Sequence, residues 1–234
     1  MPKLRCDGVI IRGNHSILTT NDPFPELEIC HGTAVRLEES SGLSCCLEHW
    51  TEAWWYEEQR FGRWVPTLEI VDGLGRGLVK LCYAEPEDAE ADRPLVEPLI
   101  RERGSDWDLI HVRRSNYMDC SRSHRSCGGA NISERLKKIW WEAHQRGASM
   151  GVIVSSDQQT AWRSLVPKVI NCRCCWATFG DGRDFVHVEL PGMIRSETYP
   201  HEHRAVVKFM DERDKPTLTL IAPDGVSLSS MRHD

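Results

Sequence analysis

The chain has 234 residues, a net charge of −6 and a sequence pI near 5.9, which excludes a surface that is basic throughout. Hydrophobic residues make up 40% and charged residues 27%, a composition typical of a folded protein. No apolar run approaches the roughly 18 to 20 residues of a membrane-spanning helix, and the first residues lack the apolar core of a signal peptide, so we expect a cytoplasmic protein.

Charge is distributed unevenly along the chain. Residues 1–110 hold 11 basic and 21 acidic side chains, whereas residues 111–234 hold 18 basic and 14 acidic ones. This asymmetry predicts an acidic first part and a basic second part that could contact phosphates, although ordinary solvated charge would give the same counts.

The first half predicts a mixed α/β sheet. Apolar residues at helical spacing predict a helix near its start, and a turn with three glycines joins two strands of a hairpin. A connector, a helix and a short strand follow, an order that favours a crossover connection. In chain order, these predicted elements span 42–55 (helix), 63–71 and 78–83 (hairpin), 84–93 (connector), 94–103 (helix) and 108–112 (strand).

The second half predicts helices followed by a hairpin, which is the layout of a winged helix. Asn131 can cap the first of these helices, and Gly147 can end it. Two short strands complete the tail. The predicted elements span 132–146, 156–165 and 167–175 (helices), 176–179 and 185–190 (hairpin), and 205–209 and 217–221 (strands). We therefore expect a first domain at 1–113, a linker at 114–130 and a basic winged-helix-like domain at 131–234.

A family resemblance enters at the first hairpin. The run Trp54-Trp55-Tyr56-Glu57-Glu58-Gln59, then Gly62-Arg63-Trp64-Val65-Pro66, and a second strand ending Leu78-Val79-Lys80-Leu81-Cys82-Tyr83-Ala84-Glu85 resemble the TnsA family. These proteins are endonuclease subunits of heteromeric bacterial transposases. The resemblance implies a restriction-endonuclease-like domain followed by a winged-helix-like domain, with carboxylates that hold catalytic Mg²⁺.

The catalytic positions of that family are substituted in this chain. The positions of the metal-binding carboxylates and the lysine fall at Ser44, Thr67, Lys80 and Cys82. Such side chains do not replace carboxylate ligands of a hard cation. Either the nuclease activity is lost, or the alignment is displaced and nearby carboxylates act instead, with Glu69 and Asp72 as the fallback pair.

The resemblance implies a TnsA-like subunit that binds transposon-end double-stranded DNA and meets a transposase recombinase and an ATP-dependent regulator, at the nucleoid when DNA-bound. Mg²⁺ is implied only if the subunit still cuts a strand. The alternatives are a non-enzymatic DNA-binding or protein-interaction module that keeps the nuclease fold, and an unrelated protein. The side chains that could contact the DNA backbone are Arg113, Arg114, Lys137, Lys138, Arg163, Lys168 and Arg173.

Two weaker patterns concern metals. Cys120, His124 and Cys127 have a spacing that zinc could use, with a fourth ligand from Cys172, Cys174 or Cys175. Reduced, structural cysteines explain the same residues more simply, and we predict no metal site. His124 and His144 also bracket an HNH-like segment that lacks the asparagine such nucleases require.

Overall fold

The structure, a computed structural model, describes residues 4–22, 24, 26–38, 40–60, 62–97, 130–173, 175–201 and 203–223. These residues form two compact units. Among the described residues, the first unit draws on the stretches 4–11, 19–37 and 43–97, and the second on 12–18, 38–42 and 130–223. The boundary predicted between 113 and 131 stays a prediction.

The first half of the chain is mostly strand. A 3-10 turn at Leu47–His49 separates β5 from β6, and α1 begins at Pro86, where the missing N–H of proline costs no helical hydrogen bond. Its strands and helix are β1 Gly8–Arg12, β2 Ser16–Thr20, β3 Glu28–Cys30, β4 Thr33–Leu37, β5 Ser41–Cys46, β6 Glu52–Arg60, β7 Arg63–Val71, β8 Gly77–Cys82 and α1 Pro86–Val96.

The second half has one long helix and eight strands among its described residues. A second 3-10 turn, Leu190–Gly192, follows β13. The elements are α2 Ala130–Arg146, β9 Met150–Ser155, β10 Gln159–Leu165, β11 Val169–Arg173, β12 Trp176–Gly180, β13 Phe185–Glu189, β14 Arg195–His201, β15 Arg204–Met210 and β16 Pro216–Ile221.

Hydrogen bonding arranges the strands in two sheets of eight. The first has the order β11-β12-β13-β2-β1-β8-β7-β6, and the second the order β14-β15-β16-β9-β10-β5-β4-β3. In the first unit, β6 pairs with β7, β7 with β8, and β8 with β1, each time antiparallel. In the second unit β14, β15, β16, β9 and β10 do the same, as do β11, β12 and β13.

Several local predictions are confirmed. Both hairpins form, as β7–β8 and β12–β13, and the two tail strands form as β15 and β16. The helix predicted at 132–146 is α2, with Leu136, Ile139 and Trp140 buried on its inner face.

The predicted fold class is wrong. The structure has antiparallel sheets, not a restriction-endonuclease-like α/β domain followed by a winged helix. The helix predicted at 42–55 is β5, a 3-10 turn and the start of β6, and those at 156–165 and 167–175 are β10 and β11. Residues 86–93 of the predicted connector lie in α1, and the helix predicted at 94–103 overlaps α1 only at 94–96, with 98–103 outside the described residues. The strand predicted at 108–112 lies outside the described residues.

The physical reason is that these segments pair with other strands. In β5, Leu43 and Cys45 are buried while the residues between and beside them are half-exposed, which is the period of a strand. Trp162 and Ala161 of β10 pair with Ile153 and Val154 of the preceding strand, β9, and β10 also lies beside β5, which is far away in the sequence. Hydrogen bonds between strands override local helical spacing. Among the described residues, no helix is both long and apolar enough to cross a membrane.

Candidate functional site

The residues singled out by the nuclease resemblance lie on one face of the β7–β8 hairpin. Thr67 pairs with Cys82 and Glu69 pairs with Lys80, and paired side chains share a face. All four are buried. The structure thus brings these residues together, but inside the first unit.

The charged groups of this face are paired with each other. The Tyr56 hydroxyl donates a hydrogen bond of 2.9 Å to Glu69 Oε2. Lys80 Nζ forms an ion pair with Glu58 and lies 5.5 Å from the centroid of the Tyr56 ring. We refer to Tyr56, Glu58, Glu69 and Lys80 as the β6–β8 network. The contacts of these carboxylates have a structural role, because a buried charge without a partner is costly.

The two remaining positions have local structural roles. Ser44 lies on β5, half-exposed, and not on a helix. Asp72 shapes the β7–β8 turn, because its Oδ1 accepts the N–H groups of Leu74 and Arg76 and its Oδ2 lies 2.6 Å from Arg76 Nε. Among the described residues, Cys46, Glu48 and His49 bring their possible metal-ligand atoms close together, and neither Glu69 nor Asp72 belongs to that group.

The basic residues predicted to contact DNA are scattered. Lys137 and Lys138 lie on α2, and Lys137 Nζ is 2.7 Å from Glu134 Oε1, a contact that raises the pKa of the lysine. Arg163 of β10 forms an ion pair of 2.6 Å with the buried Asp184. Lys168 is exposed beside β11. Arg173 ends β11, and Arg113 and Arg114 lie outside the described residues.

Helix α2 is anchored firmly in the second unit. Trp140 is 1% exposed, donates its indole N–H to the Val169 carbonyl at 3.0 Å, and meets the Phe179 ring edge-on at 4.6 Å. The Arg135 guanidinium donates to the hydroxyls of Ser196 and Thr198, the former at 2.6 Å. Arg135 near the start of α2 and Trp140 further along it are therefore both tied to strands of the second unit.

His144, in the last turn of α2, has a defined tautomer. Its Nδ1 lies 2.7 Å from the Pro167 carbonyl oxygen, which can only accept, so Nδ1 carries the proton. The other ring nitrogen, Nε2, therefore keeps its lone pair, and the residue is exposed. Metal-binding histidines are commonly oriented by such a bond from the opposite ring nitrogen.

An exposed aromatic ring lies beside this imidazole. The Trp141 ring lies 5.2 Å from that of His144 at 35°, and 53% of Trp141 is exposed. Val166 and Val169, which flank the segment that contains Pro167 in the sequence, are 37% and 40% exposed. Lys168 lies between them. We call Trp141, His144, Val166, Lys168 and Val169 the α2-end patch.

Two other histidines of the second unit are also held in place. His15 Nδ1 is 3.0 Å from Glu189 Oε2, and a Cβ at Gly192 would lie 2.1 Å from His15 Nδ1, so this ring is enclosed by backbone. His187 Nδ1 lies 2.9 Å from Thr178 Oγ1, and burial lowers the pKa of His187. Neither has the exposed aromatic neighbour that His144 has.

In the sequence, His144 stands out only within the HNH-like pattern, and no pattern there predicts the patch. The signal available was the run Trp140-Trp141, since one of two adjacent tryptophans on a helix must face away from the buried side. Of the zinc pattern, Cys120, His124 and Cys127 lie outside the described residues. Cys172 is a free thiol, but Cys175 is disulfide-bonded, so the expectation of reduced cysteines is wrong there.

No known protein family and no curated protein sequence matches this chain. Solved structures do. The heme-bound form of PhuS, a heme-binding protein from Pseudomonas aeruginosa, matches with a TM-score of 0.68 at 13% identity, over 97% of this chain and 80% of PhuS. ChuS, an Escherichia coli heme oxygenase, matches with a TM-score of 0.67 at 12% identity, over 94% of this chain and 78% of ChuS. A second structure of ChuS, described as a heme-degrading enzyme of E. coli O157:H7, gives 0.66 at 12% identity, over 94% and 76%.

These matches overturn the functional predictions. The TnsA resemblance is wrong, since the similar structures are those of heme proteins with a different fold. The predicted transposition role, transposon-end DNA, recombinase and ATP-dependent regulator partners, and Mg²⁺ are wrong with it, and nothing supports association with the nucleoid. At this level of identity the matches show that the chain has the fold of PhuS and ChuS.

Proposed function

We propose that this chain binds heme, with His144 as the axial ligand of the iron. The observation that carries the proposal is the fold, which matches that of a heme-binding protein over 97% of the chain. The proposal places the heme on the α2-end patch.

The residues of the patch fit the three parts of a heme. An iron ligand needs a neutral imidazole with a lone pair, and the bond from His144 Nδ1 to the Pro167 carbonyl leaves that lone pair on Nε2. The flat macrocycle needs apolar contacts, which Trp141, Val166 and Val169 offer at an exposed surface. The anionic propionates need a cation, and Lys168 lies between the two valines.

The platform beneath the patch favours a fixed ligand geometry. The buried ring of Trp140 ties α2 to the Val169 carbonyl, and Pro167 fixes the backbone that orients His144. A ligand held this way loses little side-chain entropy on binding. Bound heme would supply the iron centre; the protein supplies the imidazole, the apolar wall and the cation.

A heme titration tests the proposal. The purified protein is titrated with ferric heme and followed by the Soret band, with His144→Ala and His15→Ala as a matched pair. We expect one heme per chain, an affinity at least about tenfold weaker for His144→Ala, and no change for His15→Ala.

Two results would contradict the proposal in different ways. If the unmodified protein does not bind heme stoichiometrically, the function is wrong. If it binds heme but His144→Ala retains both the spectrum and the affinity, heme binding stands and the assigned ligand is wrong.

A further inference from the structure

A second group of metal-capable side chains lies in the first unit, apart from the α2-end patch. Cys46, Glu48 and His49 lie within a stretch of four residues, 46–49, where β5 ends and the 3-10 turn follows. Their Sγ, carboxylate oxygen and imidazole nitrogen all lie within 4.8 Å of one another. His49 Nε2 is 3.9 Å from Glu48 Oε1.

We propose that Cys46, Glu48 and His49 bind a divalent transition-metal ion, with Zn²⁺ as the preferred occupant. A thiolate and an imidazole select borderline ions, whereas Mg²⁺ and Ca²⁺ prefer oxygen ligands alone. Three protein ligands in a short segment match the open, four-coordinate sites of zinc, which take a further ligand from elsewhere or from water.

The turn that carries these ligands is held by backbone bonds and a buried anchor. Trp50 N–H donates to the Leu47 carbonyl at 3.0 Å, and Leu47 N–H donates to the Gly32 carbonyl at 2.9 Å. The Trp50 side chain is buried, with its ring 6.5 Å from that of Phe24. Ligands on such a turn start close to a chelating arrangement, which reduces the cost of ordering them.

The neighbouring β3–β4 turn does not complete the site. Gly32 belongs to that turn, and the hydrogen bond to Leu47 brings it alongside the metal-binding segment. Its neighbour His31 is exposed, but its ring lies outside the group formed by Cys46, Glu48 and His49. Cys45 points away, because its thiol is buried against the Ala34 carbonyl at 3.6 Å. We therefore assign the fourth position to water, as in open zinc sites.

Cobalt substitution tests the site on heme-free protein. The protein is stripped with EDTA and titrated with Co²⁺, whose thiolate charge-transfer absorption reports a Co–S bond, and Zn²⁺ is then added in competition. We expect a Co–S band that one equivalent of Zn²⁺ abolishes. Cys46→Ser should lose the band, whereas Cys172→Ser, which removes another half-exposed free thiol, should keep it.

The other ligands are tested by affinity. Loss of a group that only supports a ligand costs about 10- to 100-fold, so His49→Gln, which removes a ligand, should weaken Co²⁺ binding at least about 100-fold. An unchanged affinity in His49→Gln would overturn the assignment of His49 as a ligand. His203→Gln, at an exposed histidine of the second unit, is the control and should bind normally.

A protection measurement avoids any dependence on how the variants fold. In the unmodified protein, Zn²⁺ should slow the alkylation of Cys46 and leave that of Cys172 unchanged. Absence of a Co–S band, survival of that band in Cys46→Ser, or equal alkylation of Cys46 with and without Zn²⁺ would overturn the proposal.

Discussion

Two regions of the molecule carry polar and aromatic residues suited to chemistry, and they use them in opposite ways. In the β6–β8 network of the first unit, Glu58, Glu69 and Lys80 are matched with partners on other strands of the sheet. In the α2-end patch of the second unit, the hydrogen bond from Nδ1 to the Pro167 carbonyl orients His144 and leaves a lone pair on Nε2.

The difference shows that residue type alone does not mark a site. The carboxylates and lysine on β7 and β8 look catalytic in sequence, yet pairing and burial make them part of the first unit's interior. A single histidine at a helix end is less conspicuous. Its surroundings, an exposed indole and a carbonyl that fixes its tautomer, give it a capacity for binding.

The largest effect should come from the support beneath the α2-end patch. Trp140→Ala removes a fully buried indole, its hydrogen bond to Val169 and its contact with Phe179. We expect a loss of about 3–5 kcal/mol in the free energy of unfolding, measured by urea denaturation. The control is Trp141→Ala, which should stay within about 0.5 kcal/mol, since its indole is half-exposed. Equal losses would contradict the division of roles between the two tryptophans.

The next effect should come from the β6–β8 network. Lys80→Met removes the ammonium group that pairs with the Glu58 carboxylate. The Lys80 side chain is 7% exposed and that of Glu58 is 23% exposed. Breaking a fully buried pair costs about 3–5 kcal/mol, so the partial exposure of Glu58 reduces our expectation to about 2 kcal/mol.

The matched control is Lys137→Met, which breaks the exposed pair with Glu134. That change should stay within about 0.5 kcal/mol by the same denaturation experiment. Equal stability of Lys80→Met and Lys137→Met would contradict a structural role for the β6–β8 network.

A smaller effect should follow from the hydroxyl of the same network. Tyr56→Phe removes the donor to the buried Glu69 carboxylate and keeps the ring. We expect a loss of about 1–2 kcal/mol, read from the denaturation midpoint. Tyr199→Phe, at an exposed tyrosine, should be nearly neutral, and a neutral Tyr56→Phe would show that the hydroxyl contributes nothing.

The smallest effect should be a pH dependence in the second unit. Burial lowers the pKa of His187, so the folded protein holds its imidazole neutral. The unfolded chain, with an ordinary histidine pKa of about 6.5, takes up the proton first as the pH falls. The contribution of His187 to stability is therefore present above about pH 6.5 and is lost as the pH falls through the folded-state pKa.

Unfolding measured at about pH 7.5 and about pH 5.5 tests this sign. The unmodified protein should lose more stability between the two than His187→Phe does. His203→Gln should behave like the unmodified protein, because His203 is exposed. A steeper loss in His187→Phe would mean that the folded protein holds this imidazole protonated.

The sequence predicts the local elements better than the fold. Helix α2 follows from Leu136, Ile139 and Trp140 on one face, and the β7–β8 hairpin follows from its glycine-rich turn. Strands β10 and β11 form the hairpins β9–β10 and β11–β12, although their apolar spacing also fits a helix and predicts one. The order of strands within the sheets depends on pairing between segments far apart in the chain, such as β5 beside β10, which local spacing does not reveal.

The candidate site was hidden for a related reason. His144 becomes a ligand candidate only through the Pro167 carbonyl, which lies 23 residues later in the chain. Helical spacing predicts that His144 and Trp141 are neighbours, but no local pattern predicts which nitrogen carries the proton. The sequence instead favours the carboxylates of Glu69 and Asp72 as fallback catalytic groups, and each has a partner that only the folded structure reveals.

Chemical rescue tests the central claim most directly. His144→Ala is mixed with ferric heme, and free imidazole is added while the Soret band is followed. We expect imidazole to restore the spectrum of the unmodified protein, because Trp141, Val166 and Lys168 still form the rest of the patch. The control, His15→Ala, should show that spectrum without added imidazole. An unmodified spectrum in His144→Ala before any imidazole is added would contradict the claim that this residue holds the iron.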